Sequence, residues 1–192
     1  TLSPLAFTAI RFVLGSIVLW AVVRRVEPPA PLPKGTLRPL IWLGLIGNTV
    51  YQLCFIEGLA RTSATQSALL LSGMPVVVTL SAWLLGIEKV SVTQRFAVLA
   101  AFGGVVVVLL ARGGTIEGGL GTGALLLLGA ILSWTVYTLL LKRWSLPISS
   151  LRLTAWTLYT GTPLLVIAGI PELHPDDGKT QMLLPNHFFG ML

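Results

Sequence analysis

The sequence predicts an all-α polytopic membrane protein, and more narrowly a fragment with six transmembrane helices and the start of a seventh. Composition is the first reason, because 54% of the 192 residues are hydrophobic, 10% are charged, and the mean hydropathy is +0.86. A soluble domain has about 25% charged residues, and one of this size could not hide so much apolar surface in one core. The second reason is the length of the apolar stretches, since about 20 apolar residues span a bilayer.

Six apolar stretches reach or approach that length. Connections rich in proline and glycine separate them, as expected of loops. Residues 186–192 look like the beginning of a further helix, and the chain starts without a methionine, so we expect a piece of a longer protein. The predicted helices are A (4–23), B (39–59), C (64–87), D (96–111), E (121–141) and F (152–170).

Basic residues predict how these helices are oriented. If the helices alternate in direction, the connections 24–38, 88–95 and 142–152 share one side and carry nine Lys and Arg, against three on the other side. Cytoplasmic loops carry such an excess, so we place these connections in the cytoplasm, with the protein in the cell (inner) membrane. Five of the six tryptophans lie near the same helix ends, as in an interfacial belt, and Trp134 is the exception.

Charge and motifs exclude several other functions. The net charge of +6 is scattered over short loops, which argues against nucleic-acid binding. His174 and His187 lie outside the predicted helices without a cysteine partner, so we expect no metal site. No Gly-x-x-x-x-Gly-Lys loop occurs, so ATP does not drive this chain. We expect no enzyme activity, no catalytic residues and no cofactor.

Helices A and F share a short sequence pattern at a constant offset of 146 residues. In the predicted topology A runs from outside to inside and F runs the other way. Equivalent helices of opposite direction are typical of the inverted repeats of secondary transporters. The period spans five helices, so a complete protein would have about ten. The matched pairs are Leu5 with Leu151, Thr8 with Thr154, Ala9 with Ala155, and Gly15 with Gly161.

Several further stretches carry a resemblance to a known family. They are 3–12 (Ser-Pro-Leu-Ala-Phe-Thr-Ala-Ile-Arg-Phe), 58–64 (Gly-Leu-Ala-Arg-Thr-Ser-Ala), Pro75, 86–91 (Gly-Ile-Glu-Lys-Val-Ser), the pair Gly103 and Gly104, and 123–142, which opens with Gly123 and includes Trp134 and Lys142. Together these stretches resemble the EamA-type transporters of the drug/metabolite transporter superfamily, over about residues 3 to 170.

The resemblance implies a ten-helix inverted-repeat transporter with both termini in the cytoplasm. In that arrangement residues 1–112 hold the last four helices of the first repeat, and residues 121–192 hold the truncated beginning of the second. This chain would then contain helices two to seven of the ten. The implied partners are a small-molecule substrate and the lipid bilayer, and a homodimer stays open as an assembly.

One face of helix B carries polar and aromatic side chains near the middle of the membrane. Asn48, Tyr51, Gln52 and Phe55 are spaced so that they share a face. Amides and a phenol offer donors and acceptors without charge, which suits a polar metabolite in a central site. Hydrogen bonds to neighbouring helices would explain the same residues equally well.

Three more side chains are candidates for substrate contact. Trp134 and Tyr137 lie one turn apart in helix E, where they form either a pocket wall or a tightly packed contact. Gln66 lies near the outer end of helix C and is explained by substrate contact or by helix capping.

Two charged residues are candidates for energy coupling or for binding an anion. Glu57 is the most deeply embedded acid, and it is either a proton carrier or the partner of Arg61 four residues later. Arg11 lies about two turns inside helix A, where it either extends towards the membrane surface or contacts an anionic substrate.

We therefore expect a secondary transporter that exports small metabolites or drug-like solutes by alternating access. Two other classes stay open. A non-transporting membrane scaffold or assembly protein would tolerate loss of the polar face on helix B, whereas a transporter would not. A lipid-directed membrane enzyme would need acidic or histidine residues near an interface, and only the segment after helix F offers any.

Overall fold

The computed structural model describes residues 4–28, 31–89, 91–111 and 121–170, and these form helices without any strand. The predicted start of a seventh helix at 186–192 lies outside the described residues. One short π-helical segment, Leu45–Val50, joins two of the helices. The α-helices are α1 (Pro4–Val26), α2 (Leu37–Gly44), α3 (Tyr51–Ala60), α4 (Ala64–Ser72), α5 (Met74–Leu84), α6 (Val92–Ala111), α7 (Thr122–Trp144) and α8 (Ser150–Gly169).

The all-α membrane fold predicted from composition is confirmed. Four helical stretches among the described residues are long and apolar enough to cross a membrane. Helices α6 and α8, with 20 residues each, correspond to predicted helices D and F. They are not among these four stretches. α8 is less apolar than the four stretches because it contains Arg152 and several threonines. The four stretches are Pro4–Val26, Leu37–Ala60, Ala64–Leu84 and Thr122–Trp144.

Predicted helix C differs most from the structure, because it is broken into α4 and α5 and ends early. The break falls at Gly73, and Pro75 follows in the first turn of α5, where its missing N–H costs no helical hydrogen bond. The C-terminal end falls at Leu84, since Gly86 adopts a left-handed φ of +65° and Ile87 donates its N–H to the Ala82 carbonyl. This is a common way for a helix to stop at glycine.

Helix α7 packs antiparallel along the whole Leu37–Ala60 span, and small residues allow the close approach. A Cβ at Gly47 would overlap the Tyr137 ring, and one at Gly58 would lie 2.9 Å from the Leu127 backbone nitrogen. Gly123, near the start of α7, meets the Arg61 carbonyl in the same way. Glycine at such contacts is typical of membrane helices, which associate through close packing.

The remaining helices surround this pair. α8 packs on α2 and on the π-helical segment, and α1 packs on α8. α4 and α5 pack on α7, and α6 packs on α5. The centre of the bundle is therefore the Leu37–Ala60 span, which lies between α7 and α8.

Ion pairs join the three connections that were predicted to share one side. Lys142 Nζ lies 2.6 Å from Glu88 Oε1, and Arg152 Nε lies 3.9 Å from Glu27 Oε2. These pairs link the end of α7 to the end of α5, and the start of α8 to the end of α1. The described parts of 24–38, 88–95 and 142–152 therefore lie at the same end of the bundle, and Arg61 lies at the other.

Candidate functional site

Four aromatic rings form a continuous row between α3 and α7, which we call the aromatic cluster. Tyr51 stacks on Phe55 with ring centroids 5.7 Å apart, and on its other side it lies 5.0 Å from Trp134. Trp134 continues the row to Tyr137 at 5.3 Å. Rings at these separations attract one another. The structure thus brings together three of the predicted substrate residues, namely Tyr51, Trp134 and Tyr137.

The backbone beside the cluster is irregular. The π-helical segment Leu45–Val50 ends directly before Tyr51, and π-helical turns inside α-helices are frequently found at functional sites. Gly47 lies within this segment, and its lack of a side chain makes room for the ring of Tyr137. Ser133 of α7 donates a 2.7 Å hydrogen bond to the Ile46 carbonyl. These contacts set the register in which Trp134 meets Tyr51.

Asn48 binds a neighbouring helix. Its Nδ2 donates to the Thr157 carbonyl of α8 at 2.8 Å, and the adjacent Thr49 hydroxyl donates to the Gly161 carbonyl at 2.9 Å. Both bonds hold the π-helical segment against α8. Of the two explanations for Asn48 from sequence, the geometry matches hydrogen bonding between helices.

Gln52 is a mostly buried polar residue whose amide makes no hydrogen bond with any residue that the structure describes. Its overall exposure is 7%, but its amide atoms are not fully buried, because the Thr62 hydroxyl oxygen is the one fully buried side-chain polar atom without a partner among the described residues. The accessible Gln52 amide can therefore donate and accept hydrogen bonds with a solute.

Gln66 lies away from the aromatic cluster, in the first turn of α4 at the bundle end near Arg61. Its backbone N–H donates to the Ser63 hydroxyl at 3.3 Å, and Ser63 is the N-cap residue of α4. This hydrogen bond is the standard cap of a helix N-terminus. The position of Gln66 therefore matches the capping alternative, and the structure separates it from the other predicted substrate residues.

The two predicted charged candidates lie on the surface of the described bundle. Glu57 forms an ion pair with Arg61, which also donates to the Glu57 carbonyl at 3.1 Å. The pair borders an open hollow of about 610 Å³ that is further lined by Thr122, Leu125 and Leu126. Arg11 is exposed on α1, with its guanidinium carbon 5.9 Å from the centre of the Phe12 ring.

Sequence reasoning gave no role to Thr157 and Thr160 of α8. Thr157, 2% exposed, accepts the Asn48 hydrogen bond through its carbonyl, and Thr160 donates to the Leu40 carbonyl at 3.1 Å. Their spacing of three residues on one face was the available signal. It was hard to read because threonine in a membrane helix usually bonds its own preceding turn, as Thr160 also does to Trp156.

Comparison with known proteins decides the family. The sequence pattern of the EamA-like transporter family matches residues 1–110, which include α1 to α5 and nearly all of α6. The chain belongs to this family. An EamA-like chain is part of a multi-pass integral membrane protein of the drug/metabolite transporter type, and the resemblance seen in the sequence is confirmed.

Two curated relatives agree with this family. The chain is 26% identical over 157 residues to "Uncharacterized transporter YetK" of Bacillus subtilis (strain 168), covering 80% of this chain and 48% of that protein. It is 33% identical over 139 residues to "Uncharacterized protein PA1977" of Pseudomonas aeruginosa, covering 72% and 46%. The chain thus spans about half the length of the curated relatives it matches. No solved structure matches it.

Proposed function

We propose that the complete protein is a secondary transporter that exports small metabolites or drug-like solutes by alternating access across the cell membrane. The observation that carries the proposal is the juxtaposition of the aromatic cluster with Gln52 on α3. Tyr51 and Gln52 are consecutive, so a ring and an amide that hydrogen-bonds none of the described residues project from the same turn. Binding sites for small molecules typically combine apolar and aromatic walls with a few polar groups of this kind.

The chemistry of these side chains favours a solute with a flat apolar part and at least one neutral polar group. The rings of Tyr51 and Trp134 can stack on the flat part, and the Gln52 amide can both donate and accept a hydrogen bond. The charged candidate Glu57 and its partner Arg61 neutralise each other at one end of the bundle, so neither places a net charge at this site.

The distribution of basic and tryptophan residues supports a cytoplasmic position for one end of the bundle. The described parts of the connections 24–38, 88–95 and 142–152 lie together, and they hold most of the basic residues. Trp20 and Trp83 are exposed near that end, as expected of side chains at a membrane interface. We therefore propose that this end faces the cytoplasm.

Ligand binding by the complete protein tests the proposal. The purified protein would be screened by thermal unfolding against amino acids, nucleobases, sugars, phosphates and cationic drugs, because a compound that binds only the native state raises the Tm. We expect a ligand whose affinity falls roughly 2- to 13-fold in Trp134→Ala, from the loss of an aromatic contact of about 0.5–1.5 kcal/mol. Trp83→Ala is the matched control, since Trp83 is an exposed tryptophan outside the cluster.

The outcomes separate the candidate functions. A ligand that Trp134→Ala weakens and Trp83→Ala does not would support a transporter and identify its substrate class. If no class of compound shifts the Tm of well-folded protein, a scaffold or lipid-directed role gains support. A ligand that binds both variants as tightly as the native protein would show that its site lies away from the aromatic cluster.

A further inference from the structure

The helices around the Leu37–Ala60 span fall into two groups that meet at the π-helical segment. α2 and the π-helical segment pack on α8, which also packs on α1. α3 packs mainly on α7, and α4 and α5 pack on α7 as well. We call α1, α2 and α8 the first group, and α3, α4, α5 and α7 the second group. The span therefore changes its main partner at Leu45–Val50.

The π-helical segment is anchored to the first group. Asn48 and Thr49 donate hydrogen bonds to backbone carbonyls of α8 at 2.8 and 2.9 Å. Just before the segment, a Cβ at Gly44 would lie 3.0 Å from the backbone nitrogen of Gly161, so the backbones of α2 and α8 are in close contact. Side-chain hydrogen bonds and close backbone packing thus hold the first half of the span on α8.

α3 is held to the second group by packing along its whole length. At its start, the rings of Tyr51 and Trp134 lie 5.0 Å apart. Near its end, a Cβ at Gly58 would lie 2.9 Å from the backbone nitrogen of Leu127. Because both ends of α3 are fitted to α7, a movement between the two groups carries α3 along with α7.

A hydrogen bond from Ser133 joins the two groups at the point where the span changes partners. The Ser133 hydroxyl on α7 donates to the Ile46 carbonyl of the π-helical segment at 2.7 Å. Among the described residues it is the one hydrogen bond between α7 and the span. The same carbonyl accepts the N–H of Tyr51, five residues later, in the hydrogen bond that makes this turn π-helical.

Breaking the Ser133–Ile46 hydrogen bond would leave neither group without a partner. The Ile46 carbonyl keeps the hydrogen bond from the N–H of Tyr51. The Ser133 hydroxyl can turn to the carbonyl four residues earlier in its own helix, as Thr135 does with Ile131 at 2.7 Å. Because a lost hydrogen bond is costly mainly when a buried group stays unpaired, this bond can open and close at a small cost.

We propose that the π-helical segment Leu45–Val50 is a hinge about which the second group moves relative to the first, and that the Ser133–Ile46 hydrogen bond holds the hinge in the described position. Sharp bends in helices occur at π-helical turns, and hinge movements are absorbed by a few residues at the ends of elements. The inference rests on the proposed function, because alternating access needs such a movement. The position of the hinge rests on the contacts alone.

The contacts also determine which end of the bundle opens. Tyr137 hydrogen-bonds the Thr157 side chain across the two groups, one turn beyond Ser133 along α7. Release of the Ser133 hydrogen bond leaves the groups joined on that side, so they part towards the end near Arg61. The start of α3, including Gln52, moves away from α8 in this movement. A solute that contacts both Gln52 and α8 favours one position of the hinge, and such differential binding shifts a conformational equilibrium.

Distances between spin labels in the complete protein test the hinge. The native cysteines, including Cys54, are replaced by alanine. Labels are then attached at Leu59→Cys near the end of α3 and at Ile167→Cys on α8, both of which are exposed positions. α3 is about 15 Å long, and a bend of about 20° at a π-helical turn displaces its far end by about 5 Å. We expect two populations of this distance that differ by about 5 Å or more.

Substitutions at Ser133 test what holds the hinge. Ser133→Ala removes the hydroxyl, so the ratio of the longer to the shorter distance should rise roughly 2- to 13-fold, the equivalent of one hydrogen bond. Ser133→Thr keeps a hydroxyl and should restore the native ratio. Thr135→Val is the matched control and should leave the ratio unchanged, because the Thr135 hydroxyl bonds a carbonyl of its own helix.

Three results would contradict the proposal. A single Leu59–Ile167 distance in the native protein and in Ser133→Ala would overturn the hinge. An equal change in the reference pair Ile41→Cys with Ile167→Cys would place the bend elsewhere, because both residues lie in the first group. Two distances whose ratio Ser133→Ala leaves unchanged would overturn the role of Ser133. None of these measurements needs a ligand, so a screen without a hit would count against the proposed function while the distances decide the hinge separately.

Discussion

The substitution Gln52→Leu tests whether the Gln52 side chain binds a solute or stabilises the fold. The Gln52 amide makes no hydrogen bond with the described residues, and leucine has a similar volume without the polar atoms. Because no hydrogen bond to a described residue is lost, the change should leave the free energy of unfolding nearly unchanged. The variant should therefore be about as stable as the native protein without ligand.

The same change should weaken ligand binding. A ligand group that hydrogen-bonds the Gln52 amide would be left unpaired against leucine, at a similar cost of about 1–3 kcal/mol. That cost corresponds to a Kd raised roughly 5- to 150-fold. The affinity for the ligand would then fall without a loss of stability, which a purely structural role for Gln52 does not produce.

Asn48→Leu is the matched control, one helical turn away. Its amide donates to the Thr157 carbonyl, so the loss should lower the free energy of unfolding by about 0.5–1.5 kcal/mol. Both variants of the complete protein would be followed by thermal unfolding, first without ligand and then in a titration with the best compound from the screen. If Gln52→Leu destabilises the protein as much as Asn48→Leu and leaves the Kd unchanged, the reasoning about Gln52 is wrong.

Three further measurements test the packing, the ion pair and the orientation. Gly123→Ala should lower the Tm because its Cβ meets the Arg61 backbone, whereas Gly129→Ala on the same helix should be tolerated with Cys54 at 3.6 Å. Glu57→Gln should change stability by at most about 0.5 kcal/mol, since exposed ion pairs contribute little, and a lost pH dependence of transport would instead make Glu57 a proton carrier. A membrane-impermeant maleimide should label Lys34→Cys only in inside-out vesicles and Thr65→Cys only in right-side-out vesicles.

The helices themselves could be predicted because hydropathy and turn residues act locally. The observed helix ends differ from the predicted ones where the backbone conformation of a single residue ends the helix. Gly86, for example, has a left-handed φ, and α5 ends three residues before the predicted end of helix C. The π-helical segment before Tyr51 was not predicted, because it does not change the hydropathy of its span and leaves no trace in composition or periodicity. The break in predicted helix C does have a local signal, since Gly73 and Pro75 are residue types that commonly bend or end a helix.

The candidate site was only partly predictable. Tyr51, Trp134 and Tyr137 were recognised separately, but their contact depends on the register between α3 and α7. That register is set by Gly47, Gly58 and other small residues far along the chain, and pairing across such separations cannot be read from one sequence. For Asn48 the sequence left two explanations open, because an amide bonds a solute or a backbone carbonyl equally well until the neighbouring helix is known.

The polar side chains of the Leu37–Ala60 span differ in whether a neighbouring helix supplies a hydrogen-bond partner. Asn48 and Thr49 donate to carbonyls of α8, and Ser133 of α7 donates to the carbonyl of Ile46. These side chains therefore form hydrogen bonds between helices that lipid tails cannot provide. Beyond Tyr51 the span leaves α8 and packs mainly on α7, with smaller contacts to α1 and α4. Gln52 lies just past this divergence, where no described neighbour supplies a partner. This departure from α8 explains why Gln52, unlike Asn48, makes no hydrogen bond with α8 and why its amide accompanies the aromatic cluster in the same turn of the helix.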